Sequence, residues 1–137
     1  MTKATVTRSA TSSECLAAIR AQMRAGQRTE ALERLDAEGA NLEAVNGPET
    51  ALIHGIVRHL EGQPGAGRPL LRRGVAARAE THVCRSDRAL GLFLLGSTGR
   101  GIALLRRVCR EDEADAVDFG RLAAALIQVG RLDECED

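Results

Sequence analysis

One spacing limits what this sequence can fold into: glycines recur 36, 34 and 34 residues apart, at Gly26, Gly62, Gly96 and Gly130. Each glycine falls between two leucine-rich stretches whose apolar residues recur with the period of a helix. The tetrapeptide Leu-Leu-Arg-Arg keeps the same register, since it occurs at 70–73 and again at 104–107. A period of this length is typical of repeat proteins, in which one small helical unit is copied along the chain.

Composition and length are those of one folded domain, with 28% charged and 44% hydrophobic residues in a chain of 137. Residues 1–12, rich in Thr, Ser and Ala, are expected to form a flexible leader, and residues 13–137 the repeat domain. Periodicity and capping residues predict helices at 13–25, 29–39, 46–61, 66–79, 86–95, 99–110 and 114–129. Residues 131–137 begin a further helix that leaves the last repeat incomplete. No stretch alternates with a period of two, so no sheet is expected.

The helix-turn-helix period of 34 residues resembles that of the tetratricopeptide repeat family. The turn segments 26–31 and 130–135 are similar to the family's Gly-Asp-Tyr-Asp-Glu-Ala stretch. Small residues recur where the family's two helices approach closely, at Gly55, Ala89 and Ala123 in first helices and at Ala31, Gly67, Gly101 and Cys135 in second helices. The family's large aromatics are almost absent, since Phe93 and Phe119 are the only aromatic residues. The resemblance implies an all-α fold of about three and a half hairpins stacked as a right-handed superhelix.

The first helix of each hairpin lines the concave face of such a superhelix. The register assigns to this face the expected partner-binding residues Arg20, Met23, Leu52, Ile56, His59, Leu90, Phe93, Ala124 and Ile127. This face is mostly apolar, whereas relatives that bind the acidic tails of chaperones carry a clamp of Lys, Arg and Asn. We therefore expect a protein or peptide partner that offers a hydrophobic peptide, an amphipathic helix or a neighbouring domain. The alternative is that several of these residues belong to the core in a shifted register.

The function predicted from this fold is that of a scaffold for protein–protein interactions. No phosphate-binding loop, His-Glu-x-x-His motif or nucleophile elbow occurs, so we expect neither an enzyme nor a cofactor. The alternative is an N-terminal docking or substrate-presenting domain of a larger bacterial enzyme whose catalytic part lies outside this chain. An incomplete last repeat would leave the apolar side of the helix at 114–129 uncovered, and a homodimer is one arrangement that would cover it.

Charge and ligand patterns argue against several other partners. The 19 basic and 19 acidic residues cancel, so no net field favours nucleic acid or an anionic membrane. The repeated arginines are interpreted as solvated side chains, at Arg72, Arg73, Arg106 and Arg107. His82 and Cys84 are too few ligands for a metal site. The sequence has no Cys-x-x-Cys pair and no apolar run long enough to cross a bilayer, so reduced cysteines and a cytoplasmic location are expected.

Overall fold

The computed structural model describes the backbone of residues 2–130 and the side chains of residues 13–130. Seven helices lie in this range: α1 (Thr2–Arg24), α2 (Arg28–Asn46), α3 (Pro48–Leu60), α4 (Pro64–Gly74), α5 (His82–Leu94), α6 (Thr98–Val108) and α7 (Ala116–Gln128). No strand occurs between residues 2 and 130. The prediction of an all-α protein is confirmed.

The four periodic glycines all end a helix in the same backbone conformation. Their φ angles are 84°, 82°, 99° and 77° at Gly26, Gly62, Gly96 and Gly130, in the left-handed region that only glycine enters without steric cost. In the first three turns the glycine N–H donates to the carbonyl three residues back, and the next N–H donates to the carbonyl five residues back. These two bonds form a Schellman motif, which satisfies carbonyls at the end of the helix. The chain therefore reverses in the same way at three points of the predicted period.

The helix after each of these three turns also begins in the same way. α2, α4 and α6 start two residues beyond their glycine, and the fifth residue beyond it is buried: Ala31, Gly67 and Gly101. A Cβ added at Gly67 would lie 2.9 Å from the carbonyl oxygen of Gly55 in α3, and one added at Gly101 would lie 2.7 Å from the Phe93 nitrogen in α5. The second helix of each of these two hairpins therefore rests on the backbone of the first, and only glycine leaves room for it.

Two compact units divide the chain, Met1–Ala77 and Arg78–Asp137. In the first unit each helix packs on the next one along the chain. The centre of this unit is α3, whose Leu52, Ile53 and Ile56 are fully buried. Arg73 joins α4 to α2 because its Nε and Nη2 donate to the two carboxylate oxygens of Glu43, both at 3.0 Å.

In the second unit α5 packs on α6, and α7 packs on both. These helices enclose a core of Ala89, Phe93, Ile102, Leu105, Ala125 and Leu126. The start of α7 is defined by Asp115, whose side chain accepts hydrogen bonds from the N–H groups of Val117 and Asp118. The Asp118 carboxylate in turn accepts a hydrogen bond from the Asp115 backbone N–H, which completes a capping box.

The observed helix bounds differ from the predicted ones in particular places. The helical backbone of α1 begins at Thr2, whereas an ordered start was expected at residue 13. α2 continues to Asn46, past Gly39, where the sequence predicted its end. Gly39 is buried inside the helix, with room for His54 beside it, and the positive φ that ends α2 occurs at Gly47 instead. The predicted helical segment 131–137, with Cys135, lies outside the described residues.

Candidate functional site

The nine residues expected to line a partner-binding face differ widely in exposure. Five of them are 0–8% exposed: Met23, Leu52, Ile56, Leu90 and Phe93. Arg20 and His59 are half-buried, and Arg20 pairs with Glu49 at 2.5 Å. Ala124 and Ile127, both in α7, are exposed. The five buried residues therefore offer no open surface to a partner, and the exposed members of the set lie on α7.

One side of α7 is apolar and open to solvent. Phe119 and Ile127 are 53% and 55% exposed, and they lie eight residues apart, about two helical turns. Ala123 and Ala124 are exposed between them. Spacings of three, four and eight residues put these four side chains on one side of the helix. We call the surface formed by Phe119, Ala123, Ala124 and Ile127 the α7 face.

The repeat provides an internal comparison for the α7 face. Ala123, Ala124 and Ile127 correspond to Ala89, Leu90 and Phe93 in α5, 34 positions earlier, which are 0–8% exposed. Phe119 corresponds to Arg85, whose side chain is 38% exposed. In that hairpin α6 follows the glycine turn and packs on α5, with Gly101 against the Phe93 backbone. The same side of two equivalent helices is therefore covered in α5 and exposed in α7.

The opposite side of α7 is joined to α5 by buried polar side chains. Asp118 is fully buried, and its carboxylate accepts hydrogen bonds from Ser86 Oγ and from His82 Nε2, both at 2.7 Å. One turn further along, Arg121 Nη1 donates to Asp87 Oδ1 and to Ser86 Oγ, both at 2.9 Å. Buried charges need such partners, because desolvation without them costs several kcal/mol. This network therefore fixes how α7 lies on α5.

The second ring nitrogen of His82 faces the loop before α7. His82 Nδ1 lies 3.0 Å from Glu111 Oε1 and 3.8 Å from Glu113 Oε2. Arg85 holds Glu111, with Nη2 at 2.6 Å from Oε1 and Nε at 3.0 Å from Oε2. This hydrogen bonding lowers the pKa of Glu111 to about 2. Burial disfavours the charged form of His82, but hydrogen bonds to Asp118 and Glu111 outweigh it and raise the pKa of His82 above its usual value.

The cluster does not have the order of a hydrolytic triad. In a triad the imidazole lies between a hydroxyl nucleophile and a carboxylate, whereas here Asp118 lies between His82 and Ser86. The Ser86 side chain is also fully buried. These three groups therefore hold two helices together and do not present a nucleophile to a substrate.

Asp87, Asp118 and Arg121 were not predicted from the sequence as members of a site. Among the acidic residues just before α7, Asp115 caps the helix. Helical spacing could have indicated the polar cluster, because polar residues three or four positions apart share one side of a helix. His82 and Ser86 form such a pair on α5, in the stretch that also carries the core residues.

The arginines that repeat on the second helices lie on the surface. All four are exposed, at Arg72, Arg73, Arg106 and Arg107, and Arg73 pairs with Glu43. In the described part of the chain, Cys15, Cys84 and Cys109 form no disulfide. Cys84 does not join His82 in a common site, because its Sγ donates to the carbonyl oxygen of Arg78 at 3.3 Å.

Comparison with known proteins found no matching family model, no similar curated protein and no similar solved structure. Among the helices of the described residues, none has the length and apolar character needed to cross a membrane.

Proposed function

We propose that this protein is a scaffold for protein–protein interactions and that it binds an amphipathic helix of a partner on the α7 face. The observation that carries the proposal is the exposure of Phe119 and Ile127, 53% and 55%, on one side of one helix. Contiguous exposed apolar side chains mark interaction surfaces, because water is released when they are covered. Val45 and Leu60 are also exposed, but they lie on different helices.

The packing of α6 on α5 supports a helix as the occupant. α6 buries a glycine and the apolar residues one, four and seven positions after it: Gly101, Ile102, Leu105 and Val108. The glycine allows close approach, and the apolar spacing forms one stripe. Because Ala123, Ala124 and Ile127 of the α7 face repeat the covered positions of α5, a partner helix with a small residue and the same apolar spacing fits this face.

We also propose that the hairpins are of the tetratricopeptide type and stack as a right-handed superhelix. The proposal is supported by identical Schellman turns at Gly26, Gly62 and Gly96. It is supported equally by the helix starts that follow these turns at the same spacing. Repeats of this kind bind partners through many unrelated surfaces, so the fold by itself does not identify the partner.

Site-specific photo-crosslinking tests the interaction surface. A photoreactive phenylalanine analogue at Phe119 is expected to yield a crosslinked protein in cells, which mass spectrometry then identifies. The same analogue at Val45, 51% exposed on α2, serves as the matched control, because it samples an isolated apolar side chain. Equal crosslinking to the same proteins at both positions would contradict the proposal.

A charge substitution tests the same surface quantitatively. Ile127→Asp is expected to weaken binding of the identified partner by about tenfold or more, since it places a charge within the covered apolar area. Val45→Asp is expected to leave that affinity unchanged. Circular dichroism of both variants should match the parent, because both side chains point into solvent. Undiminished binding by Ile127→Asp would remove the α7 face from the proposal.

A further inference from the structure

The two ring nitrogens of His82 each lie close to a carboxylate. Its side chain is only 8% exposed, and Nε2 lies 2.7 Å from the fully buried Asp118 carboxylate. A neutral imidazole that donates from Nε2 carries a lone pair on Nδ1. That nitrogen lies 3.0 Å from Glu111 Oε1, which is also an acceptor. Two acceptors at this distance need a positive species between them, either a proton on Nδ1 or a metal ion.

The charges around His82 match a divalent ion. Glu111, Glu113 and Asp118 bring three negative charges near the ring, and Arg85 brings one positive charge through its bond to Glu111. With a neutral imidazole these three carboxylates outnumber the Arg85 guanidinium by two negative charges. A single proton on Nδ1 removes one of them, whereas a divalent cation removes both.

We propose that the second unit binds one Zn²⁺ ion through His82 Nδ1, Glu111 Oε1 and Glu113 Oε2, although the sequence by itself predicted no metal site. These ligand atoms lie within 4.8 Å of one another. Tetrahedral ligands about 2.1 Å from zinc lie roughly 3.4 Å apart, and the distances from Nδ1 to the two carboxylates, 3.0 and 3.8 Å, bracket that value. A water molecule completes the coordination.

Asp118 and Arg85 act as the supports of these ligands. Metal-binding histidines donate their other ring nitrogen to a carboxylate or carbonyl, and ligating carboxylates are hydrogen-bonded in turn. Asp118 is the carboxylate that accepts from the other ring nitrogen of His82, and Arg85 is the donor that hydrogen-bonds Glu111. The ion would join the start of α5 to the loop between α6 and α7. The inference goes beyond the proposed function and does not depend on it.

Isothermal titration of the full chain with ZnCl₂, after removal of metal by a chelator, tests the proposal. We expect one ion per chain in the parent protein. Glu113→Gln is expected to bind it about tenfold more weakly or worse, since even supporting residues contribute this much. The Glu113 side chain is 66% exposed, so the replacement leaves the fold intact. Asp112→Asn, which removes an exposed neighbouring charge, is the matched control and is expected to bind like the parent.

Cobalt substitution distinguishes this site from the cysteines. Co²⁺ bound by nitrogen and oxygen gives weak visible bands, whereas thiolate ligands add an intense near-ultraviolet band. We expect the weak bands alone, and we expect Glu113→Gln to lose them. Absence of binding by the parent would show that a proton alone lies on Nδ1 and would overturn the proposal. Equal binding by Glu113→Gln, or a thiolate band, would overturn it as well by locating the ion elsewhere.

Discussion

His54 shows how a single titratable side chain depends on its surroundings. It lies half-buried between α2 and α3, with Nε2 at 3.2 Å from Asp36 Oδ1. Arg58 donates to the same carboxylate oxygen. Burial lowers the pKa of His54, and the hydrogen bond to Asp36 restores only part of the loss. The folded chain therefore takes up a proton at His54 less readily than the unfolded chain does.

The sign of the resulting pH dependence follows from linkage. At pH values above the unfolded pKa, about 6.5, His54 is neutral in both states and its titration contributes nothing. As the pH falls below that value, the unfolded state is protonated first and stability is lost down through the folded pKa. We expect the urea midpoint of the parent to fall relative to that of His54→Gln as the pH is lowered from about 7.5 to about 5.5. The opposite shift at His82 is present in both proteins and cancels, so an unchanged pH dependence would contradict this assignment.

At the scale of helices, the sequence predicted the turns and closest contacts better than the helix lengths. The periodic glycines marked three equivalent turns, because a left-handed φ at the end of a helix favours glycine. The sequence predicted that the helix ends at Gly39, although the backbone of Gly39 is helical and its missing side chain makes room for His54. A glycine needed for space and a glycine needed for a turn look the same in the sequence.

Two glycines of α6 allow this difference to be measured within one helix. A Cβ at Gly101 would lie 2.7 Å from the Phe93 backbone, whereas a Cβ at Gly99 would meet nothing within 4 Å. Gly99→Ala is expected to raise the free energy of unfolding by about 0.5–1 kcal/mol through helix propensity. Gly101→Ala is expected to lower it by about 1–3 kcal/mol, because α6 must move away from α5. Chemical denaturation of both variants decides the matter, and a stabilising Gly101→Ala would show that the helices do not approach this closely.

At the scale of the whole chain, periodicity predicted the all-α class, but burial decided where a partner can bind. The register placed Leu52, Ile56 and Phe93 on an accessible face, yet all three are buried. Apolar spacing identifies the side of a helix that avoids water, but it does not say whether another part of the protein or a partner covers that side. The polar network of Asp118 and Arg121 escaped prediction because it depends on pairing between two helices. The α7 face shows this difficulty, because its apolar side chains resemble those of the core in sequence, yet they are exposed in the structure.

Thiol labelling at two equivalent alanines tests the α7 face most directly. Ala89 in α5 is fully buried and Ala123, 34 residues later in α7, is exposed. Ala89→Cys and Ala123→Cys each introduce a thiol at the same place in the repeat, and peptide mass spectrometry distinguishes its maleimide adduct from those of the native cysteines. The account predicts that Ala123→Cys reacts like an exposed thiol and that Ala89→Cys reacts at least about a hundredfold more slowly, through opening of the fold. Equal protection at both positions would contradict it, because the α7 face would then be covered within the chain itself.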